Sequence, residues 1–263
     1  MKNSALVFPL LVPVLAALAA APAFSAPVVY TGAGADPAAI TAVRDLFRVD
    51  VGGLRREINW DGVPDTFAAP NNLPLNFFNV NSPRGAVFST PGTGVAVSAN
   101  TGAAPIEFGN INPTYSTIFQ TFSAQRLFAA IGSNVVDVNF FAAGTTNAGA
   151  TSAFASIFTD VDLLDTTAIE YFDGAVSLGR FAVPVANNGL SFLGVRFDGG
   201  ERVTRVRITS GNAALGPNDG GNVDVVAMDD FIYAEVQRAV PEPSTLLLLG
   251  AAALALRLTR RRG

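Results

Sequence analysis

Short apolar runs with a two-residue period fill the middle of this chain, and Gly, Pro, Asn and Asp separate them. Such a pattern can bury one face of a strand but not the stripe of a helix, so it restricts the chain to a β fold. Residues 54–60 put Leu54, Arg56, Ile58 and Trp60 on one face. Residues 86–89 and 95–98 flank Thr90-Pro91-Gly92-Thr93-Gly94, which reads as a hairpin-like separator. Further runs cover 135–141, 153–161, 168–172, 178–183, 190–197, 203–208 and 223–236, and in 153–161 Phe154, Ser156 and Phe158 share a face. Asp173-Gly174 and Asp198-Gly199-Gly200 read as tight turns. Turn signals recur about every 8–15 residues, the spacing of a sandwich or jelly roll. One helix is expected over residues 37–47. Asp36 can cap it, Pro37 suits its first turn, and Ile40, Val43 and Phe47 repeat at helical spacing. Its expected place is a lid over one end of the sandwich.

Two absences narrow the chemistry. The chain has no Cys, hence no disulfide framework, thiolate nucleophile or iron–sulfur cluster, and no His, hence no Ser-His-Asp triad or imidazole catalyst. Residues 26–239 carry twelve Arg and twenty acids, a formal charge of −8. That charge disfavours nucleic acid and anionic lipid and is compatible with divalent cations. Phe is used 20 times against one Trp and four Tyr, which points to aromatics filling a core rather than a binding surface. The length suits one sizeable core, and no linker divides it.

The two ends read as addresses. Residues 1–25 have the parts of a secretory signal: Lys2, an uncharged apolar run over 5–21, and small residues at Ala23 and Ser25 before a cut after Ser25. A cut after Ala23 also fits, and the alternative is an uncleaved N-terminal anchor. Residues 240–263 hold Pro241, Glu242 and Pro243, an apolar run over 246–256, and Arg257, Arg260, Arg261 and Arg262. Even counted over 244–259, the apolar stretch falls short of the about 20 residues of a lone spanning helix. The arginines favour the cytoplasmic side, leaving residues 26–239 outside. A plain tail anchor is the alternative.

The order Pro241-Glu242-Pro243, apolar stretch, Arg260–Arg262 resembles the PEP-CTERM protein-sorting signal of Gram-negative bacteria. That resemblance implies recognition by a membrane exosortase, cleavage near the Pro-Glu-Pro motif, and release to the cell surface or an exopolysaccharide and biofilm matrix. The body resembles carbohydrate-binding-module-like jelly rolls in residues 158–162, 169–173, 194–198 and 228–231. The implied fold is a single all-β, jelly-roll-like sandwich over 26–239.

Three acidic spots are candidate sites. Asp229-Asp230 sits inside an apolar strand, where neighbouring side chains point to opposite faces, so one acid must face the interior. Either Ca²⁺ or an arginine (Arg196, Arg205 or Arg207) would satisfy it. Asp160 and Asp162, with Asp165 just beyond, form a second oxygen-rich patch, either a metal site or a solvated strand end. Trp60 with Asp61 and Asp65 has the makings of a sugar-stacking site, against a core Trp followed by a turn. Residues 216–221 read as a β-turn loop. No residue is singled out as catalytic, although paired carboxylates could run glycoside hydrolysis. The expectation is an exported, non-enzymatic surface or matrix protein, held by Ca²⁺ and touching extracellular polysaccharide. The alternatives are a carboxylate-based carbohydrate-active enzyme and an adhesive module for protein partners.

Overall fold

The structure is a computed structural model and describes residues 25–100 and 105–238. The apolar signal and the tail, with Pro241, Glu242, Pro243, Arg260, Arg261 and Arg262, lie outside the described residues. In chain order the elements are β1 (Val28–Gly34), α1 (Pro37–Val51), β2 (Arg55–Ile58), α2 (Phe77–Val80), β3 (Ala86–Ser89), β4 (Gly94–Val97) and α3 (Tyr115–Ile118). Then come β5 (Phe128–Ile131), β6 (Val135–Phe140), β7 (Gly149–Ala150), β8 (Ala153–Val161), β9 (Ala168–Asp173) and β10 (Val176–Ala182). The series ends with β11 (Ala186–Arg196), β12 (Arg205–Thr209), β13 (Ala227–Ala234) and β14 (Gln237–Arg238).

Two antiparallel sheets face each other. The larger runs β1-β11-β8-β13-β5-β4, with β2 also paired to β13, and the smaller runs β10-β9-β12-β6-β3. The all-β sandwich expected from the alternation is therefore present. Strand β8 shows why. Its even residues Phe154 and Phe158 enter the core between the sheets with Tyr171, Val206, Ile208, Phe231 and Tyr233. Its odd residues Ala153, Ala155 and Ile157 point the other way, under α1, with Tyr30, Ile40, Phe47 and Phe192. All nine of its residues are buried because the larger sheet is covered on both faces. At the β4–β5 end the outer cover comes from the segment around α3, where Phe108, Tyr115 and Phe119 pack on Leu127, Ala129 and Ala227.

Helix α1 forms where expected. Asp36 Oδ1 accepts from the Ala39 amide at 3.2 Å, Pro37 opens the first turn, and Gly52 ends it at φ +87°. It runs to Val51 rather than Phe47, because the first residue unfit to continue it is Gly52. Its place differs from the expectation. It lies on the outer face of the larger sheet, against β1 and β11, not over an end of the sandwich. Its apolar stripe matches a flat sheet face, with Phe47 edge-on to Tyr30 at 5.2 Å and to Phe192 at 5.8 Å.

The turn at Asp173-Gly174 joins β9 and β10 as a hairpin, with Asp173 opposite Val176. The separator over 90–94 does not. β3 pairs with β6 in the smaller sheet and β4 with β5 in the larger, so this segment crosses between sheets. Thr90 Oγ1 donates to the Val135 carbonyl at 2.7 Å, and a Cβ on Gly92 would meet the Ile131 carbonyl oxygen at 2.1 Å. Glycine is thus required for the crossing, not for a hairpin turn. The segment containing Asp198-Gly199-Gly200 crosses likewise, from β11 to β12.

Candidate metal centre

Three carboxylates meet where β8 ends. Asp160 is the next-to-last residue of the strand, and its φ of +67° breaks the extended path there. Asp160 is 1% exposed. Its Oδ1 accepts from the Asn188 amide at 2.7 Å, while its Oδ2 is buried and has no partner. Asp162 follows just beyond the strand, and its Oδ1 is also buried without a partner. Asp219 comes from the loop before β13, where its Oδ1 accepts from the Val225 amide at 2.8 Å. One carboxylate oxygen from each of Asp160, Asp162 and Asp219 lies within 4.8 Å of the others.

Asp224 braces this arrangement. Fully buried, it accepts from the Asp162 amide at 3.1 Å, the Leu163 amide at 3.3 Å and the Thr166 hydroxyl. It thereby fixes the backbone that carries Asp162. Among the described residues, the ion pairs use other acids, and no arginine neutralises Asp160, Asp162 or Asp219. Burial, with the neighbouring negative charges, pushes Asp160 up to about 7 and Asp162 up to about 6. Oxygen donors of one sign, with no cation among them, suit a hard divalent ion. Two oxygens on opposite sides of Ca²⁺ stand about 4.8 Å apart at ordinary bond lengths.

The structure thus brings Asp160 and Asp162 together as one group. It leaves Asp165 out, and only the Asp165 carbonyl is engaged, by Arg180 at 3.1 Å. The third member, Asp219, sits in the loop read as a plain β-turn. The Asn218-Asp219-Gly220-Gly221 run signals the turn, but no local pattern says which distant acids it will meet.

Asp229 and Asp230 lie elsewhere, and they do not point to opposite faces. The register of β13 on β8 slips between Met228 and Phe231, a bulge that turns both carboxylates toward residues 122–123. Asp229 accepts from the Phe122 amide at 2.6 Å and the Ser123 amide at 3.2 Å, and Asp230 from the Ser123 hydroxyl at 2.8 Å. Backbone and hydroxyl donors therefore take the place of the expected Ca²⁺ or arginine. Arg196 pairs with Asp198, and Arg205 and Arg207 both pair with Asp137. The nearby cation is Arg44, which stacks on Phe122 at 4.7 Å and partly offsets the charge on Asp230. Burial raises both carboxyls, Asp229 well above its ordinary value.

The Trp60 loop is also structural. Trp60 is 1% exposed and stacks on Phe128 at 4.2 Å, with Phe78 and Phe231 edge-on. Its Nε1 donates to the Asp229 carbonyl at 3.0 Å. Surrounded in this way, the indole offers no open face to a sugar, which corrects the stacking expectation. Asp61 accepts from the Gln125 and Arg126 amides, and Asp65 pairs with the buried Arg126 guanidinium. Both acids hold the 125–126 segment in place. A cavity of about 410 Å³ opens beside Trp60, lined by Phe67, Phe77, Phe78, Asn81 and Arg84 among others, and neither Asp61 nor Asp65 lines it.

Beyond β14 the chain enters the tail. Residues 239–262 match the description PEP-CTERM protein-sorting motif. The chain carries a PEP-CTERM sorting motif. The motif implies export, processing by an exosortase and a transient membrane anchor. Among the described residues no helix is long and apolar enough to cross a membrane. No curated protein and no solved structure matches the chain.

Proposed function

We propose that the sandwich is the cargo of this sorting motif: a non-enzymatic module displayed at the surface, or in the extracellular matrix, of a Gram-negative cell, in contact with exopolysaccharide. One observation carries the reading. Among the described residues the last strand is β14 (Gln237–Arg238), and the PEP-CTERM motif covers residues 239–262, so in sequence the tag follows the sandwich directly.

The carboxylates support a non-catalytic role. Asp229 and Asp230 are tied to the 122–123 segment, Asp61 and Asp65 to Arg126 and its neighbour, and Asp137 to two arginines. A glycosidase needs two carboxyls facing each other across an open site, about 5–9.5 Å apart. Asp160, at 1% exposure, is closed to a sugar ring.

Fractionation of native cells with and without their exosortase tests the sorting half of the reading. The expected result is a shorter product outside the inner membrane in the normal strain and a full-length, membrane-bound product in the deficient strain. Identical products in both would contradict it. A glycan array probed with the exported product tests the matrix half. Selective polysaccharide binding is expected, and binding to protein partners alone would favour an adhesive module. Hydrolysis of a polysaccharide would favour the enzyme.

A further inference from the structure

We infer that Asp160, Asp162 and Asp219 form a Ca²⁺ site that clamps the loop over residues 216–221 to the end of β8. Asp160, 1% exposed, keeps a buried carboxylate oxygen without any hydrogen-bond partner in the same group where the three side chains converge. Asp162 keeps another. A buried, unpartnered carboxylate oxygen costs free energy unless a donor or a cation meets it. No arginine among the described residues does so, and a fourth acid, Asp224, adds further negative charge to Asp160 and Asp162.

The ligand set selects the ion. It is all oxygen and has neither nitrogen nor sulfur, which disfavours Zn²⁺ and copper. The carboxylates come from two chain segments, the end of β8 and the loop before β13, and backbone amides fix one on each: Asp160 by Asn188, and Asp219 by Val225. Ca²⁺ accepts such an irregular set at 2.3–2.6 Å, whereas Mg²⁺ holds to a tighter octahedron and keeps its waters.

The position gives the ion a task. β8 lies at the centre of the larger sheet, and Asn188 belongs to the start of β11, beside it. A bound ion ties β8, the β11 start and the loop before β13 into one unit. Extracellular Ca²⁺ modules bind with Kd about 10⁻⁴–10⁻³ M. With that affinity the site stays unfilled in a Ca²⁺-poor cytosol and fills after export, so the clamp closes only where the module is used. This inference rests on export but not on the matrix reading, and its test does not involve polysaccharide.

The test is a thermal melt of the full chain in detergent, with chelator and then with CaCl₂ at about 100 times Kd. The melting temperature is expected to rise by about 5–10 °C. Asp219→Asn is expected to abolish the rise, and Asp162→Asn, on a different segment of the chain, to do the same, so that one misfolded variant does not decide the matter. Three results would overturn the inference: no shift in the parent chain, a full shift retained in both variants, or an equal shift with MgCl₂.

Discussion

Trp60 holds four phenylalanine rings around one indole, at centroid distances between 4.2 and 6.0 Å. It does so from a left-handed backbone at φ +67°, a cost that the packing must offset. Trp60→Ala should therefore destabilise by about 3–5 kcal/mol through the cavity it leaves. Urea unfolding measures this, and a loss below about 1 kcal/mol would mean the indole is dispensable to the core. Asp229 makes a different kind of prediction. Its carboxyl is raised by burial and by Asp230, so the folded state holds a proton that the unfolded state has released above about pH 4. Its contribution therefore favours the fold at low pH and declines as pH rises toward its folded value. In Asp229→Asn the amide oxygen can still accept from Phe122 and Ser123, but there is no charge to bury. The stability difference between pH 5 and pH 8, measured by denaturant titration in chelator, should be smaller in the variant. The change is about 1.4 kcal/mol for each tenfold shift in proton affinity removed. An unchanged pH profile would show that Asp229 does not titrate differently in the fold.

At the scale of elements, the outer face of the larger sheet depends on close approach. Gly194 of β11 lies under Phe47, and a Cβ there would meet the ring at 2.8 Å and Ala155 at 3.0 Å. Gly194→Val should push α1 off the sheet and destabilise by about 1–3 kcal/mol. Faster hydrogen exchange confined to α1 and β1 would register the loosening, and unchanged exchange there would contradict it. Asp36→Ala should cost about 1 kcal/mol through loss of the cap to Ala39. How far these elements could be read in advance follows from where their information lies. β8 and the start of α1 were legible because alternation and capping are written in neighbouring residues. The β3–β4 segment misled because a Gly/Pro-rich stretch can turn a chain back or carry it across to another sheet, and only the partner strands decide which. The Asp229-Asp230 bulge escaped because strict alternation assumes an unbroken ladder. Asp160 and Asp162 were legible as a pair, while Asp219 was not, since its meeting with them depends on how β8 and the loop before β13 close on each other.

For the whole molecule, fold and tag meet at one point in the chain. The described part of the sandwich runs to Arg238, and the sorting motif covers 239–262, so the tag follows β14 in sequence. The body carries a net charge of −8 and concentrates part of it, unneutralised, at Asp160, Asp162 and Asp219. The most direct measurement is the intact mass of the mature protein recovered from its native cells. A C-terminus near Pro241-Glu242-Pro243, without Arg260, Arg261 and Arg262, is the predicted result. A membrane-embedded product that retains those arginines would contradict the account.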